Sequence, residues 1–333
     1  MQILILTFMM LGCFLGAGFV SGREIASYFS RFGEYSILAI ILAGILLFVL
    51  IYFFLWLSNR TNAFYKFIAF YFGKFGNIIN VLFALSLFIL TSSMIAGSMS
   101  IADAFHCSPY LFAILTIVCS YLIVVGNEKL ISKINVILVP IIIITIVAVY
   151  GIEFDVNVGY GNLFLSLFQS VNYVLINIVT LGLYILQIGH KYSGRQKLFA
   201  AILTSGIITI LMLICNSEII GNNLVDDAMP MLTLSNNISS VLGILSGVMI
   251  WCALLTTIVS CVYLLANYLH SFIRNYKLCV FIILLAGLMC SVFGFSFIVN
   301  YIYAIIGVVG LVLVLTVAKK EKEIFIAKIS KKN

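Results

Sequence analysis

Apolar runs about as long as a bilayer is thick recur along the whole chain, and they constrain its fold more than any other feature. Ten of them fall near residues 2 to 32, 35 to 57, 77 to 102, 110 to 125, 134 to 152, 163 to 188, 197 to 219, 240 to 267, 278 to 293 and 298 to 318. A helix needs about 20 residues, at roughly 1.5 Å each, to cross a hydrocarbon core of about 30 Å. The run 35 to 57 contains no charged residue, and no stretch between runs is long enough to form a soluble domain. Only 9% of the chain is charged, against about 25% in soluble domains, so lipid is the solvent for most side chains. Backbone in lipid must satisfy its own hydrogen bonds, and runs of this length do so as helices. The fold class expected is an all-α membrane protein of about ten transmembrane helices, with residues 1–333 forming a single transmembrane domain.

Orientation follows from the loops, because cytoplasmic loops hold the excess of Lys and Arg. With the N-terminus inside, the inner loops hold Arg60, Lys66, Lys74, Lys129, Lys133, Lys191, Arg195, Lys197, Arg274 and Lys277. The tail adds Lys319, Lys320, Lys322, Lys328, Lys331 and Lys332, which brings sixteen of eighteen basic residues to one side. Only Arg23 and Arg31 remain outside, together with eight of the eleven acids. Both termini are therefore expected on the cytoplasmic side of the membrane. The first run has no basic residue ahead of it and is followed by the charged SGREI, which is not a small-residue cleavage site, so it reads as a first helix rather than a signal peptide.

Several function classes lack their residues. The net charge of +7 sits in short loops and a Lys-rich tail rather than on one face, which argues against a nucleic-acid partner. Cysteines 13, 107, 119, 215, 252, 261, 279 and 290 are scattered without a C-x-x-C pair and read as reduced, small hydrophobes. His106, His190 and His270 read as solvated loop residues. H-E-x-x-H, G-x-S-x-G and P-loop patterns are missing, so the chain is not expected to be an enzyme or an ATP-driven pump, and no cofactor is implied.

Ten spans divide into two fives, 1–152 and 163–318, at the acidic loop Glu153 to Asn162, with 319–333 as a basic cytoplasmic tail. An odd number of spans per half gives the halves opposite orientations, the geometry of an inverted 5+5 repeat.

The first run is unusual. Gln2 to Phe32 is 31 residues, roughly 46 Å as a continuous helix, and Gly12, Gly16, Gly18 and Gly22 punctuate it. Glycine permits either unwinding or close helix packing. Unwound backbone at membrane depth must line a cavity or a ligand. Run six carries Asn172, Asn177 and Thr180, followed by Gly182. These fit either a second break, near Asn172 or near Thr180, or hydrogen bonds between helices. Glu24 and Arg23 follow the glycines. Ionisable groups there default to function, and Glu24 could titrate, coordinate a cationic substrate or close an outer gate, whereas Arg23 suits the interface.

The stretch GAGFVSGREIASYFSRFG, Gly16 to Gly33, resembles the opening motif of the YkvI-type bacterial membrane proteins, and the resemblance extends along the ten-helix chain. That family is similar to LeuT-fold transporters of the amino acid, polyamine and organocation superfamily. The resemblance implies that helices 1 and 6 are broken and that Gly16, Ala17, Gly18, Asn172, Asn177 and Thr180 bind substrate. It implies a sodium ion held by the carbonyls of Gly12 and Leu15 together with Ala253, Thr256 and Thr257 of run eight. Positions i, i+3 and i+4 share one helical face, so those three oxygens can converge on one hard cation, although such hydroxyls also suit bonding to their own helix. Cys13 stands where carriers with a second sodium place an amide.

The function expected is secondary active transport of a small solute, an amino acid or a related amine or organic ion, coupled to sodium by alternating access. A transporter-like receptor that binds without transporting, or a channel, is the alternative. The partners implied are the solute and the lipid bilayer, and a homo-oligomer is compatible with the pattern.

Overall fold

A computed structural model describes residues 1–60, 63–105, 107–126, 128–150, 161–298 and 303–330. Most of the acidic loop expected to divide the halves, with Glu153 and Asp155, lies outside the described residues, as do His106, Lys331 and Lys332. The described chain is nearly all helix. Among the described residues, seven helical stretches are long and apolar enough to cross a membrane. They are built on α4 (Ser36–Leu57), α6 (Gly76–Ser100), α8 (Glu128–Tyr150), α9 (Leu163–Ile188), α10 (Gly194–Gly221), α12 (Ser240–Leu269) and α13 (Tyr276–Cys290), the last reaching its length through a further turn to Phe293. The first run is three pieces, α1 (Gln2–Phe14), α2 (Ala17–Val20) and α3 (Arg23–Tyr28). The other helices are α5 (Phe64–Phe72), α7 (Pro109–Val125), α11 (Pro230–Ile238), the single turn α14 (Phe295–Phe297) and α15 (Tyr303–Ser330).

Local chemistry sets the helix starts. Pro109 and Pro230 open α7 and α11, where a missing N–H costs nothing. Asn162, Ser239 and Asn275 accept the free N–H groups of Leu165, Leu242 and Leu278, and Ser193 and Gln196 form a reciprocal capping box on α10. Burial then sorts the helices. The central stretches of α12 and α9 are 83% and 78% buried, against 33% for α8 and α13, so the first pair forms the interior. The outer helices expose large apolar side chains such as Leu38, Ile45, Leu122, Ile144, Leu285 and Leu315, which in water would be an aggregation surface and in lipid is a solvated belt.

Both described ends of the chain lie on one face. Gln196 at the start of α10 donates to Gln2 at 2.6 Å. Arg60, just after α4, pairs with Glu321 of α15 at 2.6 Å, and Tyr71 of α5 also donates to Glu321. Lys197 reaches from α10 to Ser58 and Asn59 at the end of α4, at 3.0 and 2.6 Å. The basic stretch that reads as a tail continues α15 through Ser330.

Run six corrects an expectation, because α9 is unbroken from Leu163 to Ile188. It contains no proline, Asn177 donates to its own helix at Tyr173 O (3.0 Å), and Gly182 lies where a Cβ would touch the Phe54 ring at 3.1 Å. The glycine there serves close packing against α4 rather than unwinding. Helices α5 and α11 are additions to the expected pattern, each too short for a membrane span.

Candidate solute and cation site

The break in the first run begins at Leu15, whose ψ of 68° leaves the helical region. Gly16 N–H bonds back to Phe14 O at 2.8 Å instead of to Gly12 O, four residues behind. The next backbone bond of the run is Val20 N–H to Gly16 O at 3.0 Å. Gly12 O is thus released from its helical partner. Thr257 of α12 meets it, its hydroxyl donating at 3.4 Å, with Thr257 6% exposed. A Cβ on Gly16 would lie 3.4 Å from both Thr257 Oγ1 and Met94 Sδ, so the break is held between α12 and α6. Thr256 donates to Ala253 O of its own helix at 2.9 Å. Leu15 is fully buried in the same break. The structure therefore joins Gly12, Gly16 and Thr257, and keeps Thr256 with Ala253 on the neighbouring turn of α12.

A second break follows at Ser21 and Gly22, where φ is +81°. A side chain at Gly22 would be strained, and its Cβ would lie 2.8 Å from Met231 Cγ. Here α11 seats itself on the broken run. Met231 N–H donates to Ser21 O at 3.0 Å, and Arg23 Nη1 donates to Asp227 O at 2.8 Å. Arg23 thus holds the segment before α11 rather than standing alone at an interface.

Glu24 points inward, 6% exposed. Its carboxylate covers Gly18, where an added Cβ would lie 2.1 Å from Oε1. It lies in electrostatic reach of Tyr28, of Tyr173 on α9 and of Tyr303 on α15. Ser93 of α6 stands beside Tyr303. The buried Tyr173 hydroxyl is turned toward Glu24, and the buried hydroxyls of Tyr303 and Ser93 are turned toward each other. The Tyr173 ring sits 5.0 Å from Phe29, 5.5 Å from Tyr28 and 6.2 Å from Phe14, centroid to centroid.

Of the polar residues singled out on α9, Asn172 faces α15, its Oδ1 filling the space a side chain on Gly307 would need. Asn177 is bonded within its own helix, and Thr180 is buried. Tyr173, which the polar-residue signal passed over, is the α9 side chain facing the first break. Asn135 of α8 was also passed over. It is 1% exposed, a Cβ on Gly12 would lie 2.2 Å from its Oδ1, and its Nδ2 has no partner among the described residues.

A polar seam leads from the break toward the face holding the chain ends. Cys13 neighbours Ser260 and Cys261 of α12 and Tyr184 of α9. Gln187 and Tyr263 follow, and Tyr263 donates to Glu128 at 3.4 Å. Glu128 pairs with Lys191 at 2.5 Å, beside a cavity of about 560 Å³ lined by Met9, Glu128, Lys129, Ser132, Lys133 and Lys191.

No family model matches the chain. It is similar to the uncharacterized membrane protein YkvI of Bacillus subtilis, 23% identical over 322 residues, 92% of each chain. Its structure resembles MhsT solved in complex with L-phenylalanine, with a TM-score of 0.69 and 14% identity over 87% of this chain and 80% of that one. Mhp1 in an inward-facing conformation gives 0.65 and 13% over 92% and 72%, and a Na+-coupled sialic acid symporter gives 0.63 and 12% over 92% and 76%. The chain has the LeuT fold of these transporters, and at such identity the likeness speaks for the fold alone.

Proposed function

We propose that the protein is a secondary active transporter of a small solute, coupled to sodium and working by alternating access. The observation that carries this reading is the Gly12 carbonyl, released from its helix and facing the Thr257 hydroxyl across α1 and α12. With Leu15 O, Ala253 O and Thr256 Oγ1 it supplies oxygen donors only, the chemistry a hard cation takes. The solute binds beside it, at Gly16, Ala17 and Gly18, with Thr180 and Tyr173 on the α9 side. Asn172 and Asn177 support α9 from their present bonds.

The first run, α4, α6, α7 and α8 form one half and α9, α10, α12, α13 and α15 the other, ten crossings in an inverted repeat. The face with both chain ends is cytoplasmic by its positive charge. On that face Glu128 and Lys191 close the seam, and on the other α11 closes over Ser21. The fold shared with Na+-coupled and cation symporters supports transport.

The test is solid-supported-membrane electrophysiology on proteoliposomes, with amino acids, amines and nucleobases applied with sodium or with potassium. A solute-evoked transient current that needs sodium is the expected result. Saturable binding with no current would make the protein a receptor, and steady conductance would make it a channel; either overturns the reading.

A further inference from the structure

We infer that the solute is an organic cation whose ammonium group pairs with Glu24. This rests on reading the first break as the solute site and deepens that reading to a substrate class. Glu24 is buried, and among the described residues it makes no ion pair with a Lys or Arg. Its sequence neighbour Arg23 turns away to the Asp227 carbonyl. A carboxylate held in a low-dielectric interior without a counter-charge is costly, and the cost is recovered when a cation docks against it.

The surroundings suit an ammonium group. The buried hydroxyls of Tyr173, beside the Glu24 carboxylate, and of Tyr303, with Ser93 next to it, supply oxygen acceptors around the site. The rings of Phe14, Tyr28 and Phe29 lie 5.0 to 6.2 Å from that of Tyr173, and the group offers π surface for a positive charge. Gly18 leaves the space that the carboxylate occupies against the broken backbone. A carboxylate ligand would meet like charge there, and a neutral one would leave Glu24 without a counter-charge.

Thermal shifts of the purified chain in sodium chloride test this with two matched series: butylamine, 1-butanol and butyrate, then 2-phenylethylamine, 2-phenylethanol and phenylacetate. Stabilisation by an amine and by neither of its partners is expected. Glu24→Gln should weaken amine affinity by at least about 30-fold while the response to sodium alone persists. Should Glu24→Gln fail to fold, Tyr173→Phe keeps the ring and the charge and should weaken the amine several-fold. No shift with either amine, equal stabilisation by the alcohol or acid, or unchanged amine affinity in the folded variant overturns the inference. Currents driven by phenylacetate would leave transport standing and overturn cation selection. Glu24-dependent amine binding with no current would do the reverse.

Discussion

The hydroxyl of Thr257 on α12 donates to the carbonyl of Gly12 on α1 at 3.4 Å, across 245 positions of sequence. That carbonyl is available because the N–H four residues ahead has turned back to Phe14. One helix gives up a backbone bond, and another places a hydroxyl at the released oxygen. A ligand entering there touches both helices, so its binding energy differs between arrangements in which α1 and α12 are joined and those in which they part.

Gly18→Ala separates folding from function. The added Cβ would meet Glu24 Oε1, Cδ and Cγ at 2.1, 2.6 and 2.7 Å, so the buried side chain must swing aside from its Cγ outward. The variant should fold with a stability loss of about 1 to 3 kcal/mol and lose amine-dependent stabilisation. Thermal shift with 2-phenylethylamine reads both. Retained amine binding would mean that the Glu24 position over Gly18 is immaterial.

Lys197 tests the frame rather than the site. It is 2% exposed and donates to Ser58 and Asn59 at the end of α4. Lys197→Met keeps the stem and removes the charged donor, so stability should fall by about 2 kcal/mol, with solute preference unchanged. Unfolding in detergent followed by tryptophan fluorescence measures it, and a variant as stable as the wild type would refute the role.

The Glu128–Lys191 pair is 30% and 47% exposed at its two side chains, so it holds the seam weakly. Such pairs contribute at most about 1 kcal/mol, a factor of roughly five in an equilibrium. Glu128→Gln should therefore raise the alkylation rate of the buried Cys13 several-fold, in a background where the other seven cysteines are replaced. Rates measured by mass spectrometry with N-ethylmaleimide check this, and an unchanged rate would remove the pair from gating.

The legible part of the site was the part written in glycine and hydroxyl spacing. Gly12 and Gly16 interrupt an overlong apolar run, and the break lies at Leu15 between them. Thr257 stood out through its i, i+3, i+4 company, and it meets Gly12. Tyr173, Tyr303 and Ser93 were not legible. In a chain that is 14% aromatic, a tyrosine reads as core or membrane interface, and only its neighbours reveal a hydroxyl set beside a buried carboxylate. Amides in run six gave a false lead to a break, because Asn177 can satisfy itself on the preceding turn. Helix α11 stayed hidden for a different reason, since nine polar-flanked residues opening on a proline look like loop until they seat on Ser21.

Equilibrium binding of radioactive sodium to the purified protein, wild type against Thr257→Val, tests the cation site most directly. Saturable sodium binding is expected in the wild type, with affinity reduced about tenfold when the hydroxyl is removed and the shape kept. Absence of saturable binding, or equal affinity in the valine variant, would contradict a cation held between Gly12 and Thr257.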